Sequence, residues 1–129
     1  MIKLSVLIPA YNEGKRIRDN LEYTKKILNS LKIDYEIILI NDGSRDNTLK
    51  EAKKVKNIKI LTYNKNLGKG NALKYGFQNS KGDLVCFLDA DLDLDPSLIG
   101  SFIKIMNEAK ANVDIGSKKH PKSKINYSL

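Results

Sequence analysis

A run of acidic residues follows an apolar stretch in the segment FLDADLDLDP, residues 87–96. In an extended chain, side chains two residues apart point the same way, so Asp89 and Asp91 are expected to be neighbours, with Asp93 next if the chain stays extended. Carboxylates this close repel one another unless a cation intervenes, and Mg²⁺ and Mn²⁺ prefer oxygen ligands. The spacing therefore predicts a divalent-cation site, and the alternative is a solvated acidic loop.

A calcium-binding EF-hand loop also begins with the pattern D-x-D-x-D. The sixth position of such a loop is Gly and the twelfth is Glu, whereas this sequence has Leu94 and Gly100 there. A strand-like apolar run also stands where the EF-hand has a helix. The EF-hand interpretation is therefore excluded.

Polar residues follow three other apolar runs, in the segments 9–13, 41–44 and 66–70. Tyr11 could stack on a base, and Asp42 could accept a hydrogen bond from a base or a ribose hydroxyl. Lys69 lies between two glycines at a predicted helix start and could approach a phosphate, although the segment matches neither glycine-rich phosphate fingerprint. Each also has a structural interpretation, as a packed side chain, a capped turn or a glycine turn.

Strands and helices are predicted to alternate along the chain. Near-continuous apolar runs, typical of strands buried on both faces of a parallel sheet, cover residues 4–8, 37–40, 58–61 and 84–88, with a weaker run at 113–115. Apolar residues with helical spacing cover 17–31, 49–55, 71–79 and 98–106, and Asp95-Pro96 fits a helix start. The order predicts an α/β fold with three layers, a mostly parallel sheet with alternating helices. Ligands bind beyond the carboxyl ends of such strands, so the four polar segments are expected to converge.

Composition sets broad limits on function. The 129 residues suit one domain, and the net charge of +8 favours anionic partners. No apolar run approaches the length of a membrane span, and we interpret the N-terminus as a strand instead of a signal peptide. The single cysteine, Cys86, is expected to be a buried core residue in a chain of the reducing cytoplasm.

Five segments in this order resemble the family 2 glycosyltransferases, and most closely the dolichyl- and polyprenyl-phosphate sugar synthases. They are Val6–Glu13, Asn41–Thr48, Asn66–Gly70, Asp89–Leu92 and Gly116–Lys118. The resemblance covers residues 1 to about 120. Asn41 stands where the family more commonly has Asp, and Lys118 stands where it has Arg, which unlike lysine forms a bidentate fork to phosphate.

The resemblance implies a GT-A fold, a UDP- or GDP-sugar donor and a divalent cation, Mn²⁺ or Mg²⁺. The nucleotide-sugar-binding residues that it implies are Pro9, Tyr11, Glu13, Asp42, Lys69 and Asp89. The metal ligands that it implies are Asp89, Asp91 and Asp93. It implies sugar transfer with inversion, with a polyprenyl or dolichyl phosphate as the candidate acceptor, and it assigns no catalytic residue because the family's general base belongs to the acceptor half.

The expected organisation is a nucleotide-sugar-binding domain at residues 1–117 and a basic polar tail at 118–129. Because the resemblance implies a longer catalytic domain, the alternatives are a non-catalytic nucleotide-sugar-binding remnant or one half of a split enzyme. Exposed apolar surface would then invite self-association or a complementing chain. The tail lysines could approach an acidic membrane, so the expected location is the cytoplasm, including the cytoplasmic face of the membrane.

Two other classes of protein are disfavoured. A phosphoacceptor receiver domain needs an acidic pair after the first strand, where this chain has Pro9-Ala10-Tyr11, and a lysine after the fifth, where it has Gly116-Ser117. A nucleic-acid-binding role is supported by net charge alone, because the aromatic residues follow no recognised stacking module. We therefore expect no nucleic-acid partner.

Overall fold

The computed structural model describes residues 2–110. Strands and helices alternate in the order β1 (Leu4–Ala10), α1 (Ile17–Ser30), β2 (Tyr35–Asp42), α2 (Thr48–Ala52), β3 (Lys59–Tyr63), α3 (Lys69–Gln78), β4 (Leu84–Phe87) and α4 (Leu98–Ala109). Residues up to Leu98 form one compact unit, and the rest of α4 belongs to a second. The predicted fifth strand, residues 113–115, lies outside the described residues.

The strands form one parallel sheet in the order β3-β2-β1-β4. Strand β1 lies at the centre and pairs with β2, Leu4 opposite Tyr35, and with β4, Leu4 opposite Leu84. All three strand pairs are parallel, so every described strand ends at the same edge of the sheet. The predicted α/β class with a parallel sheet is therefore confirmed.

The two central strands are buried on both faces, which accounts for their continuous apolar sequences. On one face, Leu7, Ile38 and Ile40 form a core cluster with Ala72 of α3. Helix α3 approaches closely at Gly76, where an added Cβ would lie 2.7 Å from Cδ1 of Ile40. Because strand side chains alternate between faces, other buried apolar residues of the two strands occupy the opposite face: Leu4, Val6, Ile8, Ala10, Ile37 and Leu39.

The outer strands are less buried than their apolar runs predicted. Among the described residues, β3 and β4 are the edges of the sheet, and their residues are mostly half-buried. Phe87 is 58% exposed, and Cys86 is half-buried instead of part of the core. Burial still raises the pKa of the Cys86 thiol to about 11, which keeps it protonated at neutral pH. The prediction that these two strands are fully buried was wrong, because an apolar run alone does not distinguish a central strand from an edge strand.

The predicted helices are present, with shifted ends. The apolar stripe of α1 is confirmed, with Ile17, Leu21, Thr24 and Leu28 buried. Helix α2 ends at Ala52, before the predicted Val55, and α3 begins at Lys69, before the predicted Asn71. Asp95 accepts a hydrogen bond from the Ser97 N–H at 2.9 Å, and α4 begins at Leu98. No helix within residues 2–110 combines the length and apolar character needed to cross a bilayer.

A buried hydrogen-bond group fastens the amino-terminal ends of three strands. The Ser5 hydroxyl donates to Oε1 of Glu36 at 2.6 Å and accepts from the Gly82 N–H at 2.8 Å. Ser5→Ala should lower the free energy of unfolding by about 1–3 kcal/mol, because both partners lose this buried hydrogen bond. Urea unfolding would measure the change, with the exposed Ser101→Ala as the control. Equal stability of the two variants would contradict the expectation.

Candidate functional site

Three of the predicted donor-site residues line one crevice at the carboxyl edge of the sheet. The crevice has a volume of about 250 Å³ and is lined by Pro9, Lys69, Leu73, Phe87, Leu88, Asp89 and Leu94. Lys69 begins α3 and Asp89 follows β4, and Nζ of Lys69 lies 2.5 Å from Oδ1 of Asp89. Both side chains remain substantially exposed, at 61% and 44%. The crevice therefore offers one cation and one carboxylate to a ligand, above an apolar floor.

The loops after β1 and β2 are joined by hydrogen bonds. The Asn12 N–H donates to Oγ of Ser44 at 3.0 Å, and Oδ1 of Asn12 accepts from the Arg45 N–H at 2.9 Å. The Glu13 N–H donates to Oγ1 of Thr48 at 2.9 Å. The polar residues of these two sequence motifs therefore hold the two loops together, which is a structural role.

Asp46 completes the junction between these loops. Its carboxylate accepts from the N–H groups of Gly14, at 3.0 Å, and Thr48, at 2.9 Å. Slight burial opposes ionisation, but hydrogen bonds from the Thr48 hydroxyl and these N–H groups lower the pKa of Asp46 overall. An added Cβ at Gly14 would lie 1.8 Å from Oδ1 of Asn47, so glycine permits the close approach.

Tyr11 and Glu13 lie outside the lining of the crevice. Tyr11 is 42% exposed. The Glu13 carboxylate forms an ion pair with Arg16 at 3.1 Å, and the Glu13 carbonyl accepts from the N–H groups of Arg16 and Ile17 at the start of α1. Their predicted contacts with a nucleoside stay predictions.

Asp42 is buried, and groups of the protein surround its carboxylate. Oδ1 accepts from the Tyr63 hydroxyl at 2.6 Å and the Leu67 N–H at 2.9 Å, and Oδ2 accepts from the Gly68 N–H at 3.1 Å. Asp42 therefore binds the loop between β3 and α3. Tyr63, the last residue of β3, was missed by sequence reasoning because its partner is distant in the chain.

The Tyr63 hydroxyl gives the stability a testable dependence on pH. Partial burial, reinforced by the hydrogen bond to Asp42, raises the pKa of Tyr63 from 10.0 to about 12. The unfolded chain releases this proton at the lower pH, so the free energy of unfolding should fall as pH rises from about 10 to about 12. Tyr23 and Tyr35 also have a raised pKa, so the wild-type fall combines several groups. Urea unfolding across this range should show a smaller fall for Tyr63→Phe, and equal falls would contradict the expectation.

The acidic segment forms a turn instead of remaining extended. Strand β4 ends at Phe87, and Leu92 has a positive φ of 56°. Oδ1 of Asp91 accepts from the Asp93 N–H at 3.0 Å. The extended geometry predicted from the alternating aspartates is therefore wrong after Asp89. Within residues 2–110, no three His, Cys, Asp or Glu side chains come together as a metal site, so the predicted ligand role of Asp89, Asp91 and Asp93 stays a prediction.

Helix α1 holds the acidic turn at two points. Nδ2 of Asn20 donates to the Ala90 carbonyl at 2.9 Å, and the Tyr23 hydroxyl donates to the Asp95 carboxylate at 3.1 Å. The hydrogen bond to Asp95 raises the pKa of Tyr23. In the sequence, the two contacts lie on either side of Leu92, whose positive φ is uncommon for a residue other than glycine. Sequence reasoning missed both α1 residues, because neither belongs to the stripe of buried residues by which the helix was identified.

The comparison with known families identifies the chain. The sequence profile of Glycosyl transferase family 2 matches residues 5–127. The chain belongs to this family, and its fold is that of the GT-A glycosyltransferases.

Two relatives from bacteria show how much of a family member the chain represents. It is 39% identical over 111 residues to the undecaprenyl-phosphate 4-deoxy-4-formamido-L-arabinose transferase of Proteus mirabilis, covering 82% of this chain and 34% of that protein. It is 42% identical over 110 residues to an uncharacterized glycosyltransferase of Synechocystis, sll0501, covering 79% of this chain and 33% of that protein. The chain spans about a third of the length of each.

A solved structure has the same fold. Glucosyl-3-phosphoglycerate synthase from Mycobacterium tuberculosis, in complex with Mn²⁺, UDP and phosphoglyceric acid, aligns with a TM-score of 0.67 at 24% identity, covering 81% of this chain and 39% of that chain. The complex of the same enzyme with Mn²⁺, UDP-glucose and phosphoglyceric acid aligns with a TM-score of 0.57 at 27% identity, covering 69% of this chain and 33% of that chain.

Proposed function

We propose that this chain is the nucleotide-sugar-binding part of a family 2 glycosyltransferase. The observation that carries the proposal is the crevice in which Pro9, Lys69 and Asp89 lie together at the carboxyl edge of a parallel sheet. Ligands of such sheets bind at this edge. The proposed nucleotide-sugar-binding domain comprises residues 1–117, and the proposed tail comprises residues 118–129.

The proposed donor is a UDP- or GDP-sugar. A diphosphate is anionic, and the exposed Lys69 ammonium in the crevice is suited to bind it. Pro9 provides an apolar contact nearby, Tyr11 and Glu13 belong to the loop after β1, and Asp42 is the last residue of β2. The Mycobacterium enzyme was solved with UDP-glucose and Mn²⁺, which supports a donor of this class.

The acidic turn supplies a donor set that fits a divalent cation. Asp89 lies in the crevice, and Asp91 is an exposed carboxylate two residues later. Mg²⁺ and Mn²⁺ sites commonly use one or two carboxylates, several waters and the substrate phosphates, so the absence of a three-ligand cluster within residues 2–110 is compatible with such a site. We propose that Asp89 and Asp91 bind the cation, with Asp93 as a further ligand. When bound, the cation would neutralise charge on the departing diphosphate.

The proposed reaction is direct displacement at the anomeric carbon. An acceptor oxygen forms the new bond from the face opposite the diphosphate, and the electron pair of the broken C–O bond leaves with the nucleoside diphosphate, so the configuration inverts. Lys69 would stabilise the negative charge that develops on this leaving group. A lipid phosphate acceptor is already anionic and needs little help from a base, whereas a hydroxyl acceptor needs a general base.

We propose a polyprenyl or dolichyl phosphate as the acceptor, at the cytoplasmic face of a membrane. The similarity to the Proteus mirabilis undecaprenyl-phosphate transferase supports this acceptor class. Because the chain spans about a third of that relative, we propose that acceptor-binding groups come from additional chain or from a partner. Phe87 and Leu94, which line the crevice and remain exposed, are suitable apolar contacts for such additional chain or for a partner.

Calorimetric titration tests the donor proposal directly. UDP and GDP would be titrated into the purified chain with Mn²⁺ and again after its removal by a chelator. We expect one nucleotide to bind, and to bind more tightly with Mn²⁺. A chain that is folded by circular dichroism yet binds neither nucleotide under either condition would contradict the proposal.

A further inference from the structure

We propose that Asn20 of α1 is a positioning residue for cation binding, because its amide fixes the turn that carries Asp89 and Asp91. In this role the amide contacts neither the cation nor the nucleotide. The inference rests on the proposed function and deepens it. It concerns how two carboxylates that follow a strand are held in one arrangement before a cation binds them.

The two proposed ligands lie on one four-residue turn. The Leu92 N–H donates to the Asp89 carbonyl at 3.0 Å, so Asp89 is the first residue of the turn, and Ala90 and Asp91 are its central residues. Neither central residue has a positive φ, as in a type I turn. The carboxylates of Asp89 and Asp91 therefore come from the first and third positions of the same turn.

The hydrogen bond that closes this turn does not fix its central peptide group. A type II turn can form the same closing hydrogen bond, but the peptide group between its two central residues has the opposite orientation, and the second central residue has a positive φ. That residue is Asp91, and aspartate adopts a positive φ more readily than most residues. The closing hydrogen bond alone therefore does not decide how Asp91 is oriented.

Asn20 contacts the atom by which the two turns differ. Its Nδ2 donates at 2.9 Å to the Ala90 carbonyl oxygen, which belongs to the central peptide group. In a type II turn this oxygen would point to the opposite side and lose the contact. Ala90 is only 6% exposed and Asn20 is half-buried, so water would replace the lost donor poorly. The Asn20 amide therefore favours the observed turn.

The chain around Asp89 is held on both sides. Before it, the Leu88 N–H donates to the Leu7 carbonyl at 3.0 Å, which attaches the chain to β1. After it, the Ala90 carbonyl is attached to α1. A cation that binds both carboxylates needs them in place to within about half an ångström. Rotation of the peptide group between them would redirect the Asp91 side chain and weaken cation binding.

Asn20→Ala tests the inference through the Mn²⁺ dependence of nucleotide binding. Calorimetric titration would give the affinity for UDP, or for GDP if wild type prefers it, with Mn²⁺ and after its removal by a chelator. Without Mn²⁺, wild type and variant should bind equally well. With Mn²⁺, the variant should bind about tenfold more weakly, the effect expected of a group that orients metal ligands. Equal affinities with Mn²⁺ would overturn the inference. The same loss with and without Mn²⁺ would also overturn it, because general damage to the site does not single out the metal-dependent part.

Tyr23→Phe is the matched control, because it removes the other side-chain hydrogen bond described between α1 and this segment. That bond ends on Asp95, outside the four-residue turn. We expect Tyr23→Phe to keep the Mn²⁺ dependence of wild type. A loss as large as that of Asn20→Ala would show that attachment to α1 in general is what matters, and would overturn the specific role of Asn20.

Asn20→Leu keeps the test available if Asn20→Ala does not fold. Leucine has a branched side chain of similar size without the N–H, and it favours a helix more than asparagine does. It should show the same loss of Mn²⁺-dependent affinity. Wild type that binds no nucleotide, or binds it equally with and without Mn²⁺, would contradict the proposed function itself. Wild type with a clear Mn²⁺ dependence that both Asn20 variants retain would overturn this inference alone.

Discussion

Asp91→Asn should remove the Mn²⁺-dependent part of UDP binding, with a loss in affinity of about a hundredfold or more. The expected loss exceeds the 10- to 100-fold effects of changing groups that only orient metal ligands, because Asp91 is itself a proposed ligand. Asparagine keeps the oxygen that accepts from the Asp93 N–H, so the turn should persist. Calorimetric titration of UDP with and without Mn²⁺ would therefore report the lost charge, not a changed fold.

Asp95→Asn is the matched control for this prediction. It changes the net charge by the same amount and lies in the same segment, but its carboxylate caps the Ser97 N–H and accepts from Tyr23. We expect its Mn²⁺-dependent UDP binding to resemble that of wild type. Retention of full Mn²⁺ dependence by Asp91→Asn would exclude Asp91 as a ligand, and equal losses in both variants would point to a general charge effect.

Gly43→Ala should lower the free energy of unfolding by about 3 kcal/mol or more. The new Cβ would lie 2.4 Å from backbone atoms of Lys65 and Asn66, which cannot rotate away as a side chain can. The φ of 69° adds further strain for any residue with a Cβ. Urea unfolding of the purified variant would measure the loss.

Gly70→Ala provides a control with the opposite expected sign. Gly70 lies in α3, and an added Cβ there meets nothing within 4 Å. Alanine favours a helix over glycine by up to about 1 kcal/mol, so this variant should be slightly more stable than wild type. Similar destabilisation by the two substitutions would contradict the specific contact at Gly43.

The convergence of the site could be predicted from the sequence because it depends only on strand direction. Parallel strands end at a common edge, and Pro9, Lys69 and Asp89 follow or lie near strand ends, so their meeting in one crevice needed no knowledge of side-chain detail. The apolar stripe of α1 could also be predicted from the sequence, since helical spacing is a local property.

Features that depend on distant partners could not be predicted in the same way. The alternating aspartates predicted an extended segment, but contacts from Asn20 and Tyr23 accompany a turn there. The hydrogen bonds that the Asp42 carboxylate accepts from Tyr63 and Gly68 were not predicted either, because the positions of these donors follow from the packing of the loop on β2. The apolar composition of β4 likewise did not reveal its place at an edge of the sheet in the described residues.

The central position of β1 has a consequence for the order of folding. Its first neighbour, β2, is the next strand in the chain, but its second neighbour is β4, with Leu4 opposite Leu84. During synthesis, one side of β1 therefore has no partner for its backbone groups until β4, Leu84–Phe87, has been made. Pairing across such a long separation makes folding slow. An incomplete chain would meanwhile present an open, apolar strand at which nascent copies could join, so assistance by chaperones would matter most just before β4 emerges.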